Sequence, residues 1–202
     1  MNMFRLTALV VLLALSHSAS ADVIFSDNFD SENGGTGALN YNSFDNWTVG
    51  DGTVDLIGNG YFDFQPGYGL YVDMDGSTGN AGAMTSDLIS FESGVLYTLS
   101  FDLAGNWRNG AQENVAASVG LTGFGLLGVQ NISLSQNTAF TTYTYNFVGD
   151  GSSQSIYFVG SGGDNIGMLL DNVSVASVPE PATLALFGLG LVGFGFARRR
   201  KA

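Results

Sequence analysis

Cysteine is absent from the 202-residue sequence, which excludes disulfides and thiolate metal sites. Histidine occurs once, at His17, in a segment read below as removed on export. Without these two residues the working chain has no Ser-His-Asp or Cys-His nucleophile, no zinc site of the usual kind and no imidazole acid–base group. Charge is scarce, at 12% of residues, and positive charge scarcer still. Of six basic residues, Arg5 lies near the N-terminus and Arg198, Arg199, Arg200 and Lys201 close the chain. Between Asp22 and Val178 the one basic residue is Arg108, and seventeen acidic residues leave that stretch at −16. Such a surface repels phosphate backbones, which excludes nucleic acid as a partner, and attracts cations, calcium above all.

The two ends read as addresses. Residues 1–21 have the parts of a secretory signal peptide: Arg5 as the positive region, Leu6 to Leu15 as a short apolar core, and Ala19-Ser20-Ala21 as a small-x-small cleavage site. At the other end, residues 178–202 hold Pro179-Glu180-Pro181, an apolar run from Ala182 to Ala197, and the cluster Arg198, Arg199, Arg200 and Lys201. Sixteen residues as a helix span about 24 Å, somewhat short of a hydrocarbon core of about 30 Å. The basic cluster would stay cytoplasmic, leaving the preceding domain outside.

This tail resembles the PEP-CTERM sorting signal in all three parts and in their order. The resemblance implies a Gram-negative bacterial chain, transient anchoring in the inner membrane, and an exosortase as processing partner. Delivery to the cell surface or extracellular matrix would follow. It implies nothing about the chemistry of the sorted domain.

Residues 22–177 show no helical period. Short apolar stretches recur there every eight to twelve residues between Gly, Asn, Asp and Ser, the pattern of an all-β sandwich. The clearest strand is Val95 to Leu103, with Val95, Tyr97, Leu99, Phe101 and Leu103 on one face. Further strands are expected at Val23–Phe25, Trp47–Val49, Val54–Ile57, Leu70–Met74, Val115–Leu121, Thr141–Phe147, Ile156–Val159 and Leu169–Val175. In Thr141–Phe147 the inward residues are Tyr143, Tyr145 and Phe147. About nine strands suit one jelly-roll β-sandwich. The succession of Asn28-Phe29-Asp30, the Trp47 strand, Gly94 to Asp102, Phe140 to Phe147 and Leu170 to Val175 resembles galactose-binding-like jelly rolls, carbohydrate-binding modules among them. That resemblance implies a structural calcium held by Asp171, with Asn28 and Asp30 from the N-terminal strand.

Asp171 also carries an argument of its own. Strict alternation places it with Leu169, Val173 and Val175, facing inward, where an unpaired carboxylate is costly. A cation, or backbone N–H groups at the sandwich rim, would satisfy it. Asp73 to Asn80 looks metal-like but fails as an EF-hand loop, with Thr78 at the glycine position and Met84 at the final acid, and reads as a hairpin turn.

For ligand contact the strongest segment is Asn106-Trp107-Arg108-Asn109-Gly110 with Gln112. A tryptophan can stack on a sugar ring while amides and an arginine bond its hydroxyls or a uronate carboxylate. Trp107 folded over the sandwich end is the competing reading. A second aromatic loop, Gly60 to Tyr68, reads mainly as packing, with Tyr61 and Tyr68 outward; Trp47 reads as core. No catalytic residue stands out, since Glu32, Glu92 and Glu113 lie in no motif. Three functions stay open: carbohydrate or exopolysaccharide binding, a matrix protein without a discrete ligand site, and a carboxylate-based polysaccharide enzyme. The tail makes one prediction directly. The extracellular form lacks Arg198 to Lys201, so its intact mass falls short of the tail-bearing chain; a mass that includes the tail rules processing out.

Overall fold

Alternation of apolar and polar side chains is what builds this domain. In the computed structural model, which describes residues 21–108, 114–122 and 127–179, every named strand pair is antiparallel. The described strands are β1 Val23–Asp27, β2 Trp47–Gly50, β3 Asp55–Gly58, β4 Leu70–Asp73, β5 Ala83–Ser86, β6 Ile89–Ser90 and β7 Leu96–Ala104. They continue with β8 Asn114–Leu121, β9 Gln130–Ser135, β10 Thr141–Val148, β11 Ser153–Gln154, β12 Ile156–Ser161 and β13 Leu169–Ser177. One sheet runs β10-β7-β13-β4-β3, with β1 also on β13; the second runs β2-β5-β12-β8-β9; β6 and β11 form a small ribbon.

The two large sheets enclose one core. Leu99, Phe101 and Leu103 of β7 and Leu170, Val173 and Val175 of β13 meet Val119 of β8, Met84 of β5 and Phe158 of β12. Phe101 stands edge-on to Phe158 at 5.1 Å between ring centroids, a contact across the sandwich. In β7 the expected register holds: Tyr97, Leu99, Phe101 and Leu103 are buried and Leu96 is exposed, while Val95 just precedes the strand and is half-buried. Phe147 is buried and Tyr143 and Tyr145 pack against the core from β10. Trp47 is core, its indole N–H donating to Asp27 Oδ2 at 2.9 Å.

The structure has more strands than the sequence suggests. β5 offers a single strong inward residue, Met84, and β9 only the half-buried Ile132 and Leu134. β6 and β11 are two residues each, too short to leave an alternating pattern. The Asp73–Asn80 segment is not the hairpin turn its sequence suggests. β4 belongs to the first sheet and β5 to the second, so the chain crosses between sheets here rather than forming a hairpin. The outer face of the first sheet carries a smaller apolar group, Ile57, Tyr71, Ala104 and Leu169, covered by Phe64 and Phe140. The signal peptide and the tail helix, with Glu180, Pro181, Arg198, Arg199 and Arg200, lie outside the described residues apart from Ala21 and residues 178–179.

Candidate functional site

Trp107 is placed by backbone bonds just past the end of β7. Gly105 donates its N–H to the Thr138 carbonyl at 2.8 Å, and a Cβ there would collide with the Ser135 and Gln136 carbonyls, so only glycine fits. Trp107 donates its main-chain N–H to Gln136 at 3.0 Å and its indole N–H to Thr138 at 3.3 Å. Its φ is 57°, and 53% of the residue remains exposed. The indole is thus fixed along its edge and open on its surface.

The neighbours of Trp107 do not share that role. Asn106 is fully buried, donating its amide to Asp73 Oδ2 at 2.7 Å and the Gly167 carbonyl at 2.9 Å, so a surface ligand does not reach it. Arg108 is half-buried. It lies 3.8 Å from Asp73, donates to the Asn165 carbonyl and rests 4.9 Å above the Phe64 ring. Its guanidinium therefore balances internal charge and faces protein on several sides. Asn109 and Gln112 lie outside the described residues. Of the described residues expected at the ligand, Trp107 alone presents a broad surface.

Aromatics on the neighbouring segments are fixed as well. The Tyr71 hydroxyl accepts the N–H groups of Phe64 and Gln65 at 2.7 and 2.9 Å and donates to Asp63 at 3.0 Å, which pins the Gly60–Tyr68 loop. Burial, with Asp63 beside it, raises the Tyr71 pKa well above the ordinary value. Tyr68, 43% exposed, lies on Phe140 at 4.7 Å. Gln65 reaches Gly105 with its amide at 3.5 Å, joining this loop to the Trp107 segment. Tyr61 and Tyr68 are exposed as the sequence suggested, and Phe62 more so than either. Phe62 has a φ of 45°, a left-handed turn that a run of aromatics gives no reason to expect.

Asp171 is buried, but not by the expected alternation. The β13–β7 register shifts between Asp171 and Ser174, and Asn172 takes a φ of 50°. This bulge puts Leu170, Val173 and Val175 in the main core, while Asp171 shares the outer face with Leu169. There Asp171 sits directly opposite Asp102 of β7. The Asn172 side chain donates to Asp102 at 2.9 Å and to Asp171 at 3.2 Å, and the Asn172 N–H donates to Asp171 at 2.7 Å. Burial first, then the charges of Asp30, Asp102 and Asp27, push the Asp171 pKa up to about 7.

Asp30 and Asn28 bond to each other, Asn28 donating to Asp30 at 2.9 Å, and Asp30 also accepts the Leu70 N–H at 2.8 Å. Among the described residues no three acidic side chains gather round one point. A cation beside Asp171 would therefore rest on Asp171 and Asp30 with the Asn28 amide, not on a trio of acids. A shallow polar groove between β1 and β13 runs past Asn28, Asn46 and Asn172, and Asp27 is its one carboxylate. Asp27 is already committed to Trp47 and Asn46, so the groove does not present the pair of free carboxylates that glycan hydrolysis requires.

The C-terminal residues 177–201 match the PEP-CTERM protein-sorting motif, which marks chains for export and membrane-anchored sorting. No curated protein matches the chain. Among solved structures, a Stig cyclase, Fisc, from Fischerella sp. TAU aligns over 80% of this chain and all of its own, with 14% identity and a TM-score of 0.54. The tandem CBM22-1-CBM22-2 domain of Paenibacillus barcinonensis Xyn10C aligns over 82% of this chain and 47% of its own, with 12% identity and a TM-score of 0.50. This chain thus spans about half of that tandem. The CBM22-1 xylan-binding domain of the same enzyme aligns over 81% of this chain and 99% of its own, with 12% identity and a TM-score of 0.48. At such identities the likeness is one of fold. No helix among the described residues is long and apolar enough to cross a membrane.

Buried acids make the domain pH-sensitive. Burial raises Asp73 and Asp171 to about 7 and also lifts Glu32 above its ordinary value. The folded state binds these protons more tightly than the unfolded state, so their contribution is complete below about pH 4 and is lost as pH rises through about 7. In chelator, the melting temperature is expected to fall between pH 5 and pH 8, and Asp171→Asn to flatten that slope. A melting temperature that rises over this interval contradicts the burial described.

Proposed function

We propose that the exported β-sandwich is a non-catalytic carbohydrate-binding domain of the cell surface or extracellular matrix. It would engage exopolysaccharide through the open face of Trp107. One observation carries the reading: a half-exposed indole is held rigid by two main-chain contacts, with Tyr68 and Phe140 on the adjoining loops. A fixed aromatic plane offers apolar area to a sugar's C–H face at little entropic cost. The sorting motif supports the location, and the shared fold with carbohydrate-binding modules is consistent with the role. Because Arg108 is engaged internally, the preferred glycan is neutral, or acidic and bridged by a cation.

A calcium ion at Asp171, Asp30 and Asn28 is part of the same proposal, and its role there is structural. It would neutralise a buried carboxylate that faces Asp102 and is paired with no basic residue among the described ones.

The direct test is Trp107→Ala in the full-length chain. Retention on insoluble polysaccharide should weaken tenfold or more, on the order of 1.4 kcal/mol, while the melting temperature stays near that of the parent. Should the parent chain retain no polysaccharide, and Trp107→Ala unfold it, Trp107 is a packing residue and a matrix protein without a discrete ligand site becomes the better reading.

A further inference from the structure

Further buried acids lie where β4 runs into the crossing to β5, and one of them, Asp73, is bonded to Asn106, the neighbour of Trp107. Asp73 and Asp75 have no exposed area, and neither does Asp55, which pairs with Asp73 across β3 and β4. The Asp75 carboxylate accepts three consecutive N–H groups with one oxygen: Gly163 at 2.8 Å, Asp164 at 3.2 Å and Asn165 at 3.1 Å. Asp73 Oδ1 accepts from Asp75 at 3.1 Å and Gly167 at 2.9 Å. Glycine is required at 162 and 167, because a Cβ at either would collide with these carboxylates.

Three buried oxygens of this network find no hydrogen-bond partner among the described residues: Asp75 Oδ1, Asn106 Oδ1 and Asn165 Oδ1. The orientation of Asn106 is fixed, since its amide nitrogen faces a carboxylate and a carbonyl. Asp75 Oδ1, a carboxylate oxygen, and Asn106 Oδ1 are therefore acceptors, as is Asn165 Oδ1 in the orientation its amide adopts, and what they lack is a donor or a positive charge. One water has two hydrogens for three acceptors. Charge argues the same way. Of the three fully buried carboxylates, Asp73 is the one that meets a cation among the described residues, the half-buried guanidinium of Arg108. Carboxylate and amide oxygens without nitrogen or sulfur are the donor set of a hard cation.

We propose that Asp75, Asn106 and Asn165 bind a divalent cation of the calcium class, through these three oxygens and water. The donors share no residue with the Asp171 group and lie on different loops. The ion would fasten the Gly162–Gly167 loop to the residue that precedes Trp107, so it would brace the indole from behind.

The test is terbium titration of the full-length chain carrying Asp171→Asn, which removes the key carboxylate of the other calcium group. One saturable Tb3+ site is expected, with tryptophan-sensitised emission and displacement by Ca2+. Asn165→Ala, on a half-buried loop residue, should weaken it at least tenfold, and Asp75→Asn should abolish it. Circular dichroism checks that each variant remains folded. The proposal is overturned if the Asp171→Asn chain binds neither Tb3+ nor Ca2+. It is equally overturned if folded Asn165→Ala binds Tb3+ as tightly as its parent, the orphan oxygens then holding ordinary water. Glycan retention is a separate readout, so loss of the ion site and failure of sugar binding are told apart.

Discussion

Burial of carboxylates almost without cations is the constraint on which this domain depends. The outer face of the six-stranded sheet carries Asp55, Asp73, Asp102 and Asp171 among Ile57, Tyr71, Ala104 and Leu169. Three of those four acids are fully or almost fully buried, and one arginine serves the whole domain. An unsolvated carboxylate must then be satisfied by N–H groups, amides, hydroxyls, a proton or a metal ion. The covering loops supply the first three: Ser77 and Asn40 on Asp55, Asn172 on Asp171 and Asp102, and the 163–167 loop on Asp75 and Asp73.

These loops are also what position the surface. Asn106 is drawn inward to Asp73, and its neighbour Trp107 is left facing outward, tied to the 136–138 segment. Arg108 turns inward with Asn106 and spends its charge on Asp73 and its flat face on Phe64. Asn106 and Arg108 thus join the polar layer beneath the candidate site, while Trp107 between them faces outward. A basic group reserved for the interior explains why so acidic a surface keeps no cation for an acidic ligand.

Strong alternation made part of this legible beforehand. Leu96 to Leu103 of β7 and Thr142 to Val148 of β10 carry a two-residue period, so their register and inward faces can be read from sequence. β5 and β9 escaped because small and polar residues fill most of their positions. Strict alternation puts Asp171 on the wrong face because it cannot be carried through a bulge, which shows in the register shift before Ser174 and the left-handed conformation of Asn172. Asn106 reads from sequence as a surface amide because a polar residue beside tryptophan and arginine suggests a loop. Its partner Asp73 lies 33 positions away and gives no local signal. The phrase Leu-Tyr-Val-Asp-Met-Asp did carry a hint, an acid at every second place at the end of an apolar strand.

What the exposed indole of Trp107 faces decides the role of the domain. A glycan array of neutral and acidic polysaccharides, probed with the full-length chain in calcium and again in chelator, measures this directly. Retention on neutral glycans in calcium, with acidic glycans bound only when calcium is present, is the predicted result. Absence of retention on every glycan in both conditions contradicts it.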